Sequence, residues 1–151
     1  EIKKSVGGID KIKYYVLLYA NGGFLNSLLI KKAIKKLDQN KNYDSCVGVV
    51  SADMFTPIRA KKIDKKNSIK PFIKLSNFKN ITSNRDSAGS AYFMDLSLQI
   101  IKPKCFEKMN GNQKPFLWLG NRILPYKKEF GGDIDANWQF TLLEKWLSKN
   151  F

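Results

Sequence analysis

The sequence predicts an α/β protein with a doubly wound, mostly parallel sheet. Three observations carry that expectation: a strand-like run, an amphipathic helical run and a second strand-like run follow one another before Ser51, a compositional break comes next, and helical periodicity closes the chain behind a further strand-like run. Strand, helix and strand in this order form a crossover unit, which closes right-handed and sets its two strands parallel.

Residues 11–20, KIKYYVLLYA, are β-branched and aromatic and end at Asn21-Gly22-Gly23, the pattern of a buried strand delivering the chain to a loop. A helix begins at Asn26 or Ser27, a natural N-cap, because Leu29, Ile30, Ala33, Ile34 and Leu37 recur at steps of three and four while lysines fill the opposite side. After a polar turn at residues 38–44, SCVGVVS at residues 45–51 reads as a second buried strand. Residues 55–85 change character, with Pro57, Pro71, many lysines and short apolar clusters, and read as short strands and loops projecting from the sheet as a dimerisation segment. Further strands are expected at residues 89–95, GSAYFMD, and 122–126, RILPY, and a last helix over residues 137–147 with Phe140, Leu143, Trp146 and Leu147 on one face. The whole of residues 1–151 is read as one domain, since a chain of 151 residues buries one core and not two.

Composition narrows the chemistry. The sequence contains no histidine, which excludes Ser-His and Cys-His nucleophiles, imidazole acid–base catalysis and His-ligated metals on this chain. Cys46 and Cys105 lie far apart without CxxC spacing and read as reduced core thiols. No apolar run reaches the length of a membrane span, and the start at Glu1 shows no leader, so a soluble cytoplasmic protein is expected; the missing initiator Met is read as a truncated start. A net charge of +14 invites nucleic acid, but only three of the 27 basic residues are arginine, the residue whose planar fork suits phosphates and base edges, and the lysines are dispersed. Nucleic acid is therefore not the expected partner.

The most informative stretch is GGDIDANW, residues 131–138. In extended backbone Asp133 and Asp135 point to one side, which suits Mg²⁺, an ion held by one or two carboxylates together with substrate phosphates. Mn²⁺ accepts the same oxygen donors. The alternative is local: Asp135 or Asn137 caps the last helix and Asp133 is a turn residue.

The order YYVLLYANGGFL, helix, YDSCVGVVSADMFTPIR, DSAGSAYFM and ILPYKKEFGGDIDANWQFTLLEKWL resembles the acylneuraminate cytidylyltransferases, the CMP-sialic acid synthetases. The likeness is nearest to the branch that activates bacterial nonulosonates such as pseudaminic or legionaminic acid. It implies a Rossmann-like nucleotide-diphospho-sugar transferase fold and transfer of CMP from CTP to a nonulosonic sugar acid with release of pyrophosphate, in a homodimer that builds cell-surface glycans. It makes Asp133 and Asp135 the metal-binding catalytic pair, with Mg²⁺ or Mn²⁺ as the cofactor. Arg59 in TPIR falls in the segment that reaches toward the partner's site, Arg85 stands ahead of the Gly-x-x-Tyr strand, and Phe116 stands where the family lines its sugar pocket with aromatics. The family's LLQPTSPLR is here LLYANGGFL, so Tyr19 and Asn21 take the glutamine and threonine positions of a substrate loop. The glycine- and basic-rich loop that receives the triphosphate at the start of such enzymes has no counterpart, so the likeness covers the C-terminal portion only. A non-catalytic fragment, a CMP-Kdo synthetase or another sugar nucleotidyltransferase are the alternatives it leaves.

Overall fold

The computed structural model describes residues 7–8, 11–52, 55–84, 87 and 89–151, apart from the side chain of Asn77. They form two compact units, one from the residues up to Val49 together with Met94–Phe151, the other Val50–Phe93. The segment expected to project, residues 55–85, falls within the second.

The first unit is an α/β layer structure. Strands β1 (Tyr15–Leu17), β2 (Ser45–Ser51), β5 (Tyr92–Ile101) and β6 (Ile123–Lys128) join in the order β1-β5-β2-β6. β1 runs antiparallel to β5, with Tyr15 opposite Ile101. β5 is also antiparallel to β2, since Lys102 N–H bonds the Asp44 carbonyl (3.0 Å) at one end and Ala52 N–H bonds the Ala91 carbonyl (3.0 Å) at the other. Among the described strands only β2 and β6 pair in parallel, starting where Asp44 N–H meets the Arg122 carbonyl (2.8 Å). The expectation of a mostly parallel, doubly wound sheet is thereby corrected to a mixed sheet. β1 and β2 do run the same way around the intervening helix, but β5 lies between them and hydrogen-bonds both antiparallel.

Helix α1 (Ser27–Gln39) starts where Asn26 Oδ1 accepts the Leu29 N–H (2.9 Å), the N-cap expected from sequence. Its Ala33 and Leu37 are fully buried against Cys46, Leu98, Ile100 and Leu124, the residues that β2, β5 and β6 turn to that side. On a second core cluster Val47, Ile101, Cys105 and Leu119 meet, contributed partly by 3₁₀ turns at Pro103–Phe106 and Leu117–Leu119 rather than by an α-helix. Both cysteines are buried free thiols, and burial pushes the Cys46 thiol up to about 11.

The edges of the elements depart from the sequence reading. The first strand shrinks from residues 11–20 to Tyr15–Leu17, and the strand expected at 89–95 begins at Tyr92 and continues to Ile101. The last helix, α2, runs Asn137–Asn150. Of the four residues expected on its inner face, Trp146 is buried and meets Phe24 edge-on (6.0 Å between ring centroids), Leu143 is half-buried, and Phe140 and Leu147 are exposed.

In the second unit, β3 (Lys61–Ile63) and β4 (Ile69–Pro71) form a hairpin. Asp64 Oδ1 builds its turn by accepting the N–H groups of Lys66 and Ser68, both at 2.9 Å. Ile63, Ile69 and Phe72 are left exposed. Among the described residues no helix is long and apolar enough to cross a membrane.

One position shows how closely the sheet is fitted around its polar interior. A Cβ on Gly48 of β2 would stand 2.9 Å from the Asp95 carbonyl oxygen and 3.2 Å from Lys128 Cδ. Backbone of a central strand cannot move aside, so Gly48→Ala is expected to destabilise the protein by about 1 to 3 kcal/mol, the usual cost of overpacking. Urea denaturation of the two proteins measures it, and an unchanged midpoint would show that the strand yields.

Candidate functional site

Two loops of the first unit meet beside the sheet. One leaves β1 and turns tightly at residues 19–23, where Gly22 N–H bonds the Tyr19 carbonyl (3.0 Å); the other is the connector of residues 129–136 between β6 and α2. They are stitched together at Asn21. Its carbonyl accepts the Ile134 N–H (2.9 Å), and its side-chain amide donates to Asp135 Oδ1 (2.9 Å). Two residues singled out in the sequence for different reasons are thus in direct contact.

Neither aspartate starts the helix. The N-cap of α2 is Ala136, and it is the Gln139 side chain that reaches back, its Oε1 accepting the N–H of Ala136 (2.6 Å) and of Asp135 (2.7 Å). The capping alternative for Asp135 or Asn137 therefore fails on geometry. β6 ends at Lys128, so the aspartates stand in the connector beyond it and not in a strand. The connector is clasped to Asn21 through Ile134 and Asp135, and Gly132 takes a positive φ of 116° ahead of Asp133.

Asp133 and Asp135 line an open cavity of about 300 Å³ together with Phe24, Phe130, Trp138 and Leu142. Partial burial raises the Asp133 carboxyl above the ordinary range, and the negative charges of Asp135 and Asp95 raise it further. The charge balance around them sets the pair apart. In a chain of net charge +14, the other described aspartates, Asp38, Asp44, Asp64 and Asp95, each pair with a lysine. Among the described residues no lysine or arginine pairs with Asp133 or Asp135. Two mutually repelling carboxylates without a cationic partner among the described residues, one of them oriented by an amide, fit a hard divalent cation with oxygen preference such as Mg²⁺. Among the described residues no group of three or more Cys, Asp or Glu side chains gathers in a way that could hold a metal, so protein ligation would be limited to this pair.

The remaining sequence candidates are dispersed. Tyr19 shares the Asn21 loop but does not line the cavity. Phe116 packs on the core cluster of Val47, Ile101, Cys105 and Leu119, edge-on to Trp118 (5.4 Å). Arg59 belongs to the second unit, exposed, with Nη2 donating to the Ser83 carbonyl (3.3 Å). Arg85 lies outside the described residues.

Sequence reasoning passed over the charged residues behind the connector. Lys128 and Asp95 form an ion pair with side chains 2% and 0% exposed. Lys128 Nζ also donates to the Phe24 carbonyl (2.6 Å) and to Ser97 Oγ (3.1 Å), while Asp95 accepts from Ser97 Oγ (2.9 Å), Ser97 N–H (3.2 Å) and Gly132 N–H (3.3 Å). A signal was present: Leu124, Tyr126 and Lys128 alternate along β6, which puts the lysine on the core side of its strand.

The chain matches no protein-family model and no curated protein. The raised Asp133 carboxyl has a consequence for stability. A carboxyl whose folded pKa exceeds its unfolded value favours the folded state at low pH and costs stability as pH rises through the folded pKa. With a chelator present, Asp133→Asn is therefore expected to melt higher than the parent at pH 7, with the difference fading below about pH 4, where an unfolded carboxyl is protonated as well. A variant that melts lower than the parent at pH 7 would mean that the carboxylate is already neutralised within the fold.

Proposed function

We propose that this chain is a sugar-acid cytidylyltransferase of the nucleotide-diphospho-sugar transferase kind, which transfers CMP from CTP to a nonulosonic acid and releases pyrophosphate. The observation that carries the reading is the Asp133–Asp135 couple, which has no lysine or arginine partner among the described residues and is held beside a cavity by Asn21 in a chain whose other described aspartates have lysines. The resemblance to CMP-sialic acid synthetases places their metal-binding pair at these two positions.

In this reading Asp133 and Asp135 hold Mg²⁺, or Mn²⁺ in its place. Asn21 fixes the rotamer of Asp135, and Gln139 fixes its backbone, so that one carboxylate is oriented before the cation arrives. The like charge of Asp135 and Asp95 on Asp133 disfavours the metal-free ionised pair and makes a cation the natural counter-charge. A bound divalent ion would neutralise charge growing on the α-phosphate during displacement by the sugar hydroxyl, which suits a chain without histidine. Tyr19, in the Asn21 loop, is the residue left for contact with the sugar, whereas Phe116 packs on the core cluster of Val47 and Leu119 and is not beside the Asp133–Asp135 cavity. The exposed hairpin residues Ile63, Ile69 and Phe72 support a homodimer through residues 55–85, in which Arg59 and Arg85 serve phosphates or the sugar carboxylate of the partner's site.

The test is made on the full-length product, with CTP and a panel of nonulosonic acids. Asp133→Asn and Asp135→Asn are each expected to lower metal-dependent pyrophosphate release by roughly 10²-fold or more, without lowering the metal-free melting temperature. Turnover near that of the parent would remove both residues from the chemistry, and no release with any sugar acid by the parent would remove the activity.

A further inference from the structure

A buried charge that touches both loops of a site is in a position to set their geometry. Lys128 fastens the Asn21 loop through the Phe24 carbonyl, and Asp95 fastens the connector through the Gly132 N–H, one residue ahead of Asp133. Gly132 has φ +116°, a left-handed conformation that other residues adopt only with strain, so the connector is bent at the point where Asp95 holds it. We propose that Asp95, itself held by Lys128, is a positioning residue for the Asp133–Asp135 pair: its carboxylate anchors Gly132 and so fixes where Asp133 stands relative to Asn21 and Asp135. The inference rests on the cation-binding reading above.

Three features support a positioning role over a merely structural one. First, the ion pair is not needed to fill space, since Gly48 is kept small to admit it. A buried ion pair can often be replaced by apolar residues of similar volume without loss of stability, so its retention here calls for another reason. Second, among the described residues its polar contacts outside β5 and β6 run to the two loops that meet at Asn21, one bond to each. Third, Ser97 bonds both partners and holds the Asp95 carboxylate in one orientation, with Oδ2 toward the lysine and Oδ1 toward Gly132.

Two double variants separate the anchor from the charge, because each removes one positive and one negative group. Asp95→Asn with Lys128→Met keeps an acceptor for the Gly132 N–H; Asp95→Leu with Lys128→Met does not. Mg²⁺ affinity, measured by calorimetry on the full chain, is expected to stay within about twofold of the parent in the first and to fall about tenfold or more in the second, the usual effect of losing a supporting hydrogen bond behind a metal ligand. Equal affinities in the two variants would overturn the positioning role. Failure of the underlying reading looks different: the parent itself binds no Mg²⁺, or Asp133→Asn binds it as well as the parent. Amide hydrogen exchange of Gly132 in the unmodified protein gives a measure independent of how the variants fold. Protection is expected, and exchange at the rate of a free loop would overturn the anchor.

Discussion

The interior charge of Lys128 is the constraint around which the first unit is arranged. Bringing an ammonium and a carboxylate out of water costs several kcal/mol for each, and their attraction offsets this only when every remaining proton and lone pair finds a partner. Lys128 has three N–H groups and three acceptors, on Asp95, Phe24 and Ser97. Those acceptors come from a loop and from β5, which lies across β2 from the lysine's own strand, and Gly48 of β2 leaves the space between. Any movement of the Phe24 loop away from β5 would leave a buried ammonium short of a partner. The proposed site stands on this support, its two loops held to the same buried group from opposite ends.

The sign of the charges elsewhere has a related logic. With 27 basic residues against 13 acidic ones, many lysines have no carboxylate available, while the described aspartates other than Asp133 and Asp135 are taken up by structure. Asp44 is the clearest case. Burial works to raise its pKa, but Lys104 (2.6 Å) and the N–H groups of Asn121 and Arg122 outweigh that and hold it below the ordinary carboxylate range. It clamps the start of β2 to the start of β6, with Gly120 packed against it. Asp38 does the same for α1, accepting from the Tyr14 hydroxyl (2.6 Å) and Lys13 (2.8 Å). An aspartate pair left without such partners in so basic a chain is a departure from the pattern.

What could be read in the sequence follows from which interactions are local. The start of α1 and the bounds of β2 were legible to within a residue, and the end of α1 to within two, because a cap at Asn26, a lysine-faced apolar stripe and an unbroken apolar run are all written in consecutive residues. The second half of β5 was not, because Ser97 and Gln99 look like the end of a strand. Both are fully buried, and Gln99 is satisfied at a distance, its Oε1 accepting from Trp118 Nε1 (2.9 Å). Sheet order was hidden for the same reason: the antiparallel placement of β5 between β1 and β2 depends on pairing between residues far apart in the chain. Of the candidate site, the aspartates and Asn21 could be named from sequence. Their contact could not, nor could the ion pair behind them, since a lysine in the run YKKE reads as solvated unless strand parity is followed to its end.

The hydrogen bond from Ala52 to Ala91 closes the second unit at its base, so the chain leaves and returns at adjacent points. A segment with neighbouring ends behaves toward the rest of the chain as a short turn, whatever its length. β5 can then find β2 across a small gap instead of across a long floppy loop, and the entropy of closing that loop falls mainly on the inserted unit itself. Length and sequence between the two alanines are therefore free to change without shifting the register of β2 against β5.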